Sequence, residues 1–341
     1  MIDPRFYDLI GPLCLEEIAR IVGAIVPEGY SGAALLETCG PLETVGSNGL
    51  AFYQGAVATE KLSTSANAVL IQQDSAHAVP AGVAALIVRA PRAAFAVVSG
   101  LLVRRRDVAQ QGICISPLAI IESDVELGYN VVVGDGAEIG AGTRIAPNSV
   151  VGPGVTIGRN CRIGANATIY CAFIGDRVTI GSNSVIGEAG FGVAITAEGP
   201  IDVPQLGRVV LQDDVSIGSL CAVDRGAFGD TVLGIGCKID NFTQIAHNCQ
   251  LGRGVVIAAF GGISGSCIIG DDVVMGGRVG IADHTKVGDG AIISAAAGVF
   301  RDIPAGENWG GVPAQPIKQW HREVIALKKL VKKKPSAQSN I

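Results

Sequence analysis

The chain has 341 residues, of which 48% are hydrophobic and only 5% aromatic, and its formal net charge is −5. This length is enough for two domains with a substantial core, and the acidic net charge excludes a strongly basic nucleic-acid-binding protein. The nine cysteines are an odd number without a CxxC pair, which argues against a disulfide framework or a zinc ribbon. The 47 glycines and few aromatics favour a thin, repetitive core of Val, Ile and Ala.

The amino terminus and the hydropathy predict a cytoplasmic protein. The start, MIDPRFYDLI, has no basic segment followed by an apolar one, so a secretory signal is not expected. Arg89 and Arg92 interrupt the most apolar stretch, so we expect no membrane span and at most transient membrane contact. Four cysteines share one position of a repeat and are interpreted as small buried residues in a reducing compartment: Cys161, Cys237, Cys249 and Cys267.

Residues 1–106 are predicted to form a separate α/β domain. The segment PLCLEEIARIVGA has the pattern of a short amphipathic helix that ends near Gly23. Residues 84–88 (AALIV) are predicted to be a strand. The segment APRAAFAVVSGLLVRR predicts a helix with Pro91 near its start.

Residues 107–313 are dominated by a six-residue repeat. Aliphatic residues recur at every sixth position from 115 to 163, from 174 to 186, from 211 to 223 and from 233 to 293. Turn formers such as Asn and Gly, which tolerate positive φ, favour the fourth position. Short strands joined by corners every six residues close into a triangular prism with 18 residues per coil. Ordinary antiparallel strands would not keep one register over so many repeats.

Two segments lie outside the prism. Residues 191–208 break the repeat, so we expect them to leave the prism. Residues 314–341 are predicted to form a basic helix and tail, because seven Lys or Arg and one acid follow Ile317, a net of 7 − 1 = +6. Apolar residues spaced 3, 4, 3 and 4 apart suit a helix that packs either on copies of itself or back on the prism: Ile317, Trp320, Val324, Leu327 and Val331.

The repeat register places two of the four histidines at one corner of the prism. His247 is the third residue of its hexad, and His284 is the fourth residue of a hexad that starts two coils later. Adjacent coils lie about 4.8 Å apart, so we expect roughly 10 Å between the two backbones along the axis. Gly265 lies one coil after His247 and Arg301 three coils after it, whereas Asp240 lies across the preceding face.

This arrangement leaves three interpretations of the histidines open. A histidine at a corner is by default a solvated surface residue. A metal site of the kind found in hexapeptide carbonic anhydrases needs three histidines, but His77 belongs to the first domain and His321 to the tail, so no metal is expected. The third interpretation is acid–base catalysis, because two aligned histidines over a glycine suit an active site.

Acyl transfer to an amine or a hydroxyl fits these residue types. A neutral imidazole with a pKa of about 6.5 suits a general base at neutral pH. Asp240 is a candidate to orient His247, and the Gly265 N–H is a candidate donor to an oxyanion. No Ser or Cys lies in a recognisable nucleophile elbow, so direct transfer is expected rather than a covalent intermediate.

Four segments are similar to one enzyme family. They are GFG, VPQLGRVVLQDDVSIG, VDRGAFGDT and KIDNFTQIAHN, at residues 190–192, 203–218, 223–231 and 238–248. They resemble the UDP-3-O-(3-hydroxyacyl)glucosamine N-acyltransferases, hexapeptide-repeat acyltransferases of lipid A biosynthesis. The resemblance covers nearly the whole chain, and the related enzymes that O-acylate UDP-N-acetylglucosamine lack this first domain.

The resemblance implies a mainly β protein, with a left-handed parallel β-helix, a small N-terminal α/β domain and a C-terminal α-helix. It implies a homotrimer with active sites between subunits, acyl carrier protein as the partner that supplies a 3-hydroxyacyl thioester, and the 2-amine of the UDP-sugar as acceptor. No cofactor is expected beyond the phosphopantetheine of that partner.

The resemblance also assigns roles to individual residues. His247 matches the general base, Asp240 its carboxylate partner, and His284 a second histidine that contacts or stabilises the substrate. Asn241 and Arg301 match positions that line the path of the phosphopantetheine and the acyl chain.

Phe52 matches a residue that stacks on uracil, but the chain departs from the family's pattern at two points, the first of which weakens that pocket. Gly55 and Ala58 stand where the family has Asn and Tyr, so Tyr53 is a candidate substitute, and Ala189 stands where an Asp commonly precedes GFG.

Two alternatives remain from the sequence. A hexapeptide transferase that uses coenzyme A would have the same β-helix. A non-catalytic scaffold, for example an ice-binding one, would need flat arrays of Thr along one face, and the outward positions here are too mixed for that.

Overall fold

A computed structural model of the protein describes residues 2–108, 114–197, 199–311 and 316–331. The predicted basic residues Lys332, Lys333 and Lys334 lie outside the described residues. Three α-helices are present in the described part: α1 (Leu15–Val22), α2 (Pro91–Leu102) and α3 (Ile317–Val331). None of them has the length and apolar composition that a bilayer-spanning helix requires.

The first 105 residues combine two helices with three small sheets. The largest is a parallel sheet of four strands: Thr38–Cys39, Gly49–Phe52, Ala68–Ile71 and Ala84–Ile87. Two antiparallel pairs complete the set: Tyr7–Leu9 with Val103–Arg105, and Leu13–Cys14 with Leu35–Leu36. A 3₁₀ helix, Gln73–Ala78, follows the third strand of the parallel sheet.

The ends of α1 and α2 test two predictions. Gly23 caps α1 at φ 70°, a left-handed conformation that glycine adopts at no steric cost, so the predicted end is confirmed. Pro91 occupies the first turn of α2 as predicted. The prediction that this helix continues through Arg105 is wrong, because Val103–Arg105 is a strand paired with Tyr7–Leu9.

The prism has three faces of parallel two- to five-residue strands. The first face contains Glu126–Leu127, Arg144–Ile145, Arg162–Ile163, Thr179–Ile180, Ser216–Ile217, Lys238–Ile239, Val256–Ile257, Val274–Met275, Ile292–Ile293 and Asn308–Trp309. The second contains Val132–Val133, Val150–Val151, Thr168–Ile169, Val185–Ala189, Ala222–Arg225, Gln244–Ile245, Gly262–Ile263, Gly280–Ile281 and Gly298–Val299. The third contains Ile120–Ile121, Glu138–Ile139, Thr156–Ile157, Ala172–Ile174, Arg208–Leu211, Asp230–Leu233, Gln250–Leu251, Ile268–Ile269 and Lys286–Val287. The predicted parallel β-helix is confirmed.

The coil length follows the sequence spacing. Ile145 pairs with Ile163, a step of 163 − 145 = 18 residues. The coil that contains Tyr170 is shorter by one residue, since Ile163 pairs with Ile180. The coil from Val223 to Ile245 has 245 − 223 = 22 residues, because residues 226–229 form an extra loop at one corner.

The interior of the prism is packed as the pattern predicts. The recurring aliphatic residues from Val133 to Val299 are almost completely buried, and the four cysteines of the repeat are 0% exposed. Burial raises the pKa of the Cys237 thiol, so this cysteine stays protonated like a small apolar residue. The corners adopt positive φ at the fourth position, as at Asn148 (62°) and His284 (58°).

Residues 191–197 and 199–207 leave the prism as expected, whereas Arg208, predicted to leave with them, already belongs to a strand of the third face. Val193–Thr196 and Gly199–Asp202 form an antiparallel hairpin that packs on α2, where Ala93, Ala96, Ala194 and Val203 make a small apolar cluster. Ion pairs also join the start of the chain to the prism, because Arg208 contacts Asp3 at 2.9 Å and Asp230 at 2.8 Å. The first 105 residues therefore pack on the prism where its second and third faces meet, at the hairpin that connects them.

Candidate active site

The second face of the prism carries an open groove of about 1110 Å³. The side chains of His247 and His284 both line it, as does Gly265. The backbone connects them coil by coil, since Ser266 N–H donates to His247 O (2.9 Å) and His284 N–H donates to Gly265 O (3.0 Å). The structure therefore brings both histidines to one corner, in the order that the register predicts.

The imidazole of His247 is confined by glycines on two sides. A Cβ on Gly265 would lie 2.6 Å from His247 Cε1, and a Cβ on Gly190 would lie 2.8 Å from His247 Cβ. Atoms this close must move apart, so the ring occupies space that only glycine leaves free. The sequence did not identify Gly190 as a site residue, although Gly190 begins the GFG segment that resembles the family.

Asn248 determines which nitrogen of His247 carries the proton. The Ala227 N–H can only donate, so the Asn248 atom that it contacts at 2.9 Å is the side-chain oxygen. The same oxygen lies 3.2 Å from His247 Nδ1, which must therefore donate to it. In the described part of the chain no hydrogen bond engages His247 Nε2, so this nitrogen has a free lone pair. Asn248 was not predicted, although it lies in the motif KIDNFTQIAHN.

The carboxylate near His247 in this chain is Asp224. Asp224 lines the same groove and accepts a hydrogen bond from Gln244 Nε2 at 2.7 Å. Burial raises the pKa of Asp224 above that of an ordinary aspartate, and the Gln244 hydrogen bond and the charge of nearby His247 offset part of that rise. The segment VDRG contained the signal for this residue, but the 22-residue coil hid its position relative to His247.

Asp240 and Asn241 lie at the opposite edge of the second face and do not line the groove within one chain. Asp240 Oδ1 accepts hydrogen bonds from the Asn241 backbone N–H (2.7 Å) and from Asn241 Nδ2 (2.9 Å). Asn241 Oδ1 in turn accepts from the Ser219 N–H at 2.7 Å. The predicted contact between Asp240 and His247 stays a prediction that requires a second subunit.

Arg301 also lies outside the groove. Its guanidinium lies over the ring of Trp309, 5.1 Å from the centroid, and the side chain is exposed. The neighbouring Phe300, which is 86% exposed, lines the groove instead. The predicted role of Arg301 on the acyl path stays a prediction.

The groove floor next to the histidines is made of glycines. Gly262, Gly280 and Gly298 occupy the outward position of three successive strands, where the other faces carry larger side chains. A Cβ on Gly262 or Gly280 would meet no atom within 4 Å, so these glycines leave open space rather than allowing close packing. Phe191, 89% exposed, forms part of the opposite wall. The result is a shallow apolar channel that begins at the histidines.

A second cavity of about 820 Å³ lies between the first 105 residues and the prism. Phe52 lines it and packs on Phe95 with 4.9 Å between ring centroids, while Phe95 contacts Phe228 of the extra prism loop at 5.6 Å. The Tyr53 hydroxyl donates to Ala56 O at 2.9 Å, so it holds the loop that contains Gly55. Phe52 is half-buried and remains part of the cavity wall.

No three His, Cys, Asp or Glu side chains gather as a possible metal site among the residues that the structure describes. The expectation that the protein uses neither a metal nor a cofactor stays a prediction.

Comparisons with known proteins agree with the repeat. Family models described as "Bacterial transferase hexapeptide (six repeats)" match residues 118–153, 136–171 and 230–265. The model "Hexapeptide repeat of succinyl-transferase" matches residues 172–196 and 267–300. A solved structure of Arabidopsis UDP-N-acetylglucosamine acyltransferase is 19% identical over 67% of this chain and 85% of that chain; its TM-score of 0.49 is too low to bear on function.

Similar proteins extend along nearly the whole chain. The UDP-3-O-acylglucosamine N-acyltransferase of Caulobacter vibrioides (strain NA1000 / CB15N) is 45% identical over 97% of this chain and 98% of its own length. Those of Caulobacter sp. (strain K31) and Methylobacterium sp. (strain 4-46) are 47% and 43% identical, each covering at least 96% of both chains. The chain therefore belongs to the UDP-3-O-acylglucosamine N-acyltransferase family and is an acyltransferase of the hexapeptide-repeat type.

Proposed function

We propose that the protein transfers a 3-hydroxyacyl chain from acyl carrier protein to the 2-amine of UDP-3-O-(3-hydroxyacyl)glucosamine, which gives the UDP-2,3-diacylglucosamine precursor of lipid A. The observation that carries the proposal is the free Nε2 of His247, whose partner nitrogen donates to Asn248, at the head of an apolar channel. The names of the relatives, which cover the same length, support the choice of substrate.

In the proposed reaction, the amine attacks the thioester carbonyl as His247 Nε2 takes one proton from the nitrogen. The new C–N bond gives a tetrahedral oxyanion, for which the Gly265 N–H is the proposed donor. No described residue accepts a hydrogen bond from this N–H. The C–S bond then breaks, and the phosphopantetheine sulfur takes the proton from the imidazolium. The Nδ1–H to Asn248 hydrogen bond keeps the ring oriented through both transfers.

His284 lines the same groove two coils beyond His247. We assign it to contacts with the substrate, because nothing in the described chain orients its ring as Asn248 orients that of His247. Asp240, Asn241 and Arg301 keep their proposed roles only if a neighbouring subunit brings them to the groove.

A homotrimer with active sites between subunits would meet that condition. Phe242 and Phe260 stack at 4.8 Å at one corner of the prism and remain 49% and 53% exposed. Both have positive φ, 59° and 63°, a conformation that costs a bulky residue energy and is typical of sites under functional constraint. In α3, Ile325, Leu327 and Leu330 are 52%, 62% and 72% exposed. These apolar surfaces support packing on copies of the chain rather than of α3 on its own prism.

The second cavity is the proposed site of uridine, with uracil stacked on Phe52. Lys328 and Lys329 of α3, both exposed, are part of the proposed docking surface for the acidic acyl carrier protein. We propose that the enzyme meets both substrates in the cytoplasm.

The proposal is tested with purified protein, acyl carrier proteins charged with 3-hydroxyacyl chains of different length, and UDP-3-O-acylglucosamine, with products identified by mass spectrometry. We expect one new amide on the sugar nitrogen and a preferred chain length. The same acyl chain on coenzyme A tests the alternative donor. Acylation of a hydroxyl of UDP-N-acetylglucosamine, without transfer to the amine, would contradict the proposal.

A further inference from the structure

Arg92 is the residue that the two cavities share. It lines the groove of His247 and His284, and it also lines the cavity of Phe52. Within the described chain no other residue lines both. A ligand that extends from the aromatic cavity to the histidines must therefore pass the Arg92 side chain.

The backbone of Arg92 is fixed in place. Arg92 follows the buried Pro91 at the start of α2, and its N–H donates to Gln54 Oε1 at 3.1 Å. Gln54 itself lines the aromatic cavity. The side chain is exposed, so it can meet a ligand without displacing packed residues.

In the described chain, Lys61 is the only other Lys or Arg that lines either cavity, and both it and the nearby Arg225 donate hydrogen bonds to backbone carbonyls. Lys61 Nζ donates to His77 O at 2.6 Å and to Val79 O at 3.3 Å. Arg225, nearly buried, donates to Gln205 O at 2.7 Å and to Gly187 O at 2.8 Å. Among described residues, the Arg92 guanidinium makes no ion pair and no side-chain hydrogen bond. It is the available cation between the cavities.

The remaining charged lining residues repel an anion. Glu43 and Glu60 line the aromatic cavity, and Asp224 and Asp283 line the groove. Arg92 is therefore the cation beside which a polyanion can lie between the two cavities, and a guanidinium matches the paired oxygens of a phosphate group.

We propose that Arg92 binds the diphosphate of a nucleoside diphosphate sugar, and so fixes the distance between the base on Phe52 and the sugar at His247. This inference rests on the proposed function, because it takes the UDP-sugar as the ligand that occupies both cavities. It assigns Arg92 to substrate positioning and leaves the proton transfers to His247.

Binding of UDP and of uridine, measured by titration calorimetry on the full-length protein, tests this assignment. We expect Arg92→Ala to weaken UDP binding by about 10- to 100-fold, the loss of one charge-assisted contact, and to leave uridine binding unchanged. Arg92→Lys should recover part of the UDP affinity, because the charge remains without the planar fork. Arg89→Ala is the matched control, since Arg89 is exposed near α2 but lines neither cavity.

The two ligands separate the possible failures. If the wild type binds UDP and Arg92→Ala binds it equally well, the assignment of Arg92 is wrong while the proposed function stands. If the wild type binds neither UDP nor uridine, the proposed function itself fails. Equal weakening of UDP and uridine by Arg92→Ala would show a structural role and overturn the assignment.

Discussion

The imidazole of His247 lies directly against the backbone of Gly265 in the next coil. A Cβ on Gly265 would fall 2.6 Å from Cε1 and 2.7 Å from Nε2 of the ring, which is closer than a Cβ atom approaches a non-bonded neighbour. The glycine therefore sets both the position of the base and the open space in front of its free nitrogen.

Gly265→Ala should displace the ring and lower kcat by about 100-fold, the cost of moving a catalytic group by about one ångström. His247→Ala should lower kcat by about 10²–10⁴. Steady-state assays with thermal melts check both variants. Gly100→Ala is the control, because a Cβ there meets no atom within 4 Å and should stabilise α2 by about 0.5–1 kcal/mol. Activity of His247→Ala within threefold of wild type would remove His247 from the mechanism.

Asn248→Asp should shift the pH profile in a direction that the geometry fixes. A carboxylate beside Nδ1 favours the imidazolium over the neutral ring in this variant. Since only the neutral ring acts as a base, the acidic limb of kcat/KM should move to higher pH. Asn248→Ala removes the hydrogen bond without adding charge. It should therefore lower kcat but move the acidic limb of kcat/KM less than Asn248→Asp does. An unshifted limb in Asn248→Asp would contradict the assigned tautomer.

Phe52→Ala should raise KM for the UDP-sugar and leave KM for acyl carrier protein unchanged. Stacking on an aromatic ring contributes about 1–3 kcal/mol per base, so an increase of at least fivefold is expected. Phe52→Leu keeps apolar bulk against Phe95 and tests whether the ring itself matters. Equal changes in both KM values, with a lower melting temperature, would show that Phe52 only packs on Phe95.

Asp3 links the first strands to the prism through Arg208. Its contribution to the stability of the folded protein should depend on pH. Burial tends to raise the pKa of Asp3, but hydrogen bonds from Arg5 and Arg208 outweigh it and lower the pKa below 3.8. A lowered pKa in the folded state means that the stabilisation is present above about pH 4 and is lost as the carboxylate is protonated below it. The melting temperature of Asp3→Asn should therefore fall below wild type at pH 7, and the difference should narrow towards pH 3. A constant difference would exclude the charge as the cause.

Replacing Lys328 and Lys329 by Glu, alone or with Lys332–Lys334, should raise KM for acyl carrier protein and flatten its salt dependence. Opposite charges speed encounter only over the screening length, about 8 Å at physiological ionic strength. Transfer from a small acyl-pantetheine donor should be unaffected. Lys286→Glu, an exposed lysine on the prism, is the control. An unchanged salt slope would leave the tail as a solubility or trimer-packing element.

The period of the sequence alone determined the prism. Six-residue spacing fixes where each strand begins and which side chain points inward, because the side-chain alternation and the corner geometry repeat without reference to the rest of the chain. The same counting placed His247, Gly265 and His284 at one corner, and the structure has them there. The end of α1 at Gly23 was equally local, since a left-handed cap depends on one residue.

Contacts between distant segments had to be decided by the tertiary structure. The helix α2 ends at Leu102 because the next three residues pair with a strand at the start of the chain. The helical pattern of the sequence continues past Leu102 and therefore predicts too long a helix. Asn248 orients His247 only because the extra loop brings the Ala227 N–H to its oxygen, and Gly190 closes on the ring from the point where the hairpin leaves the prism. Arg92 reaches both cavities because α2 packs on that hairpin. Irregular segments break the register that made counting possible, and they supply the Ala227 N–H that holds Asn248 and the Gly190 backbone that lies against the histidine ring.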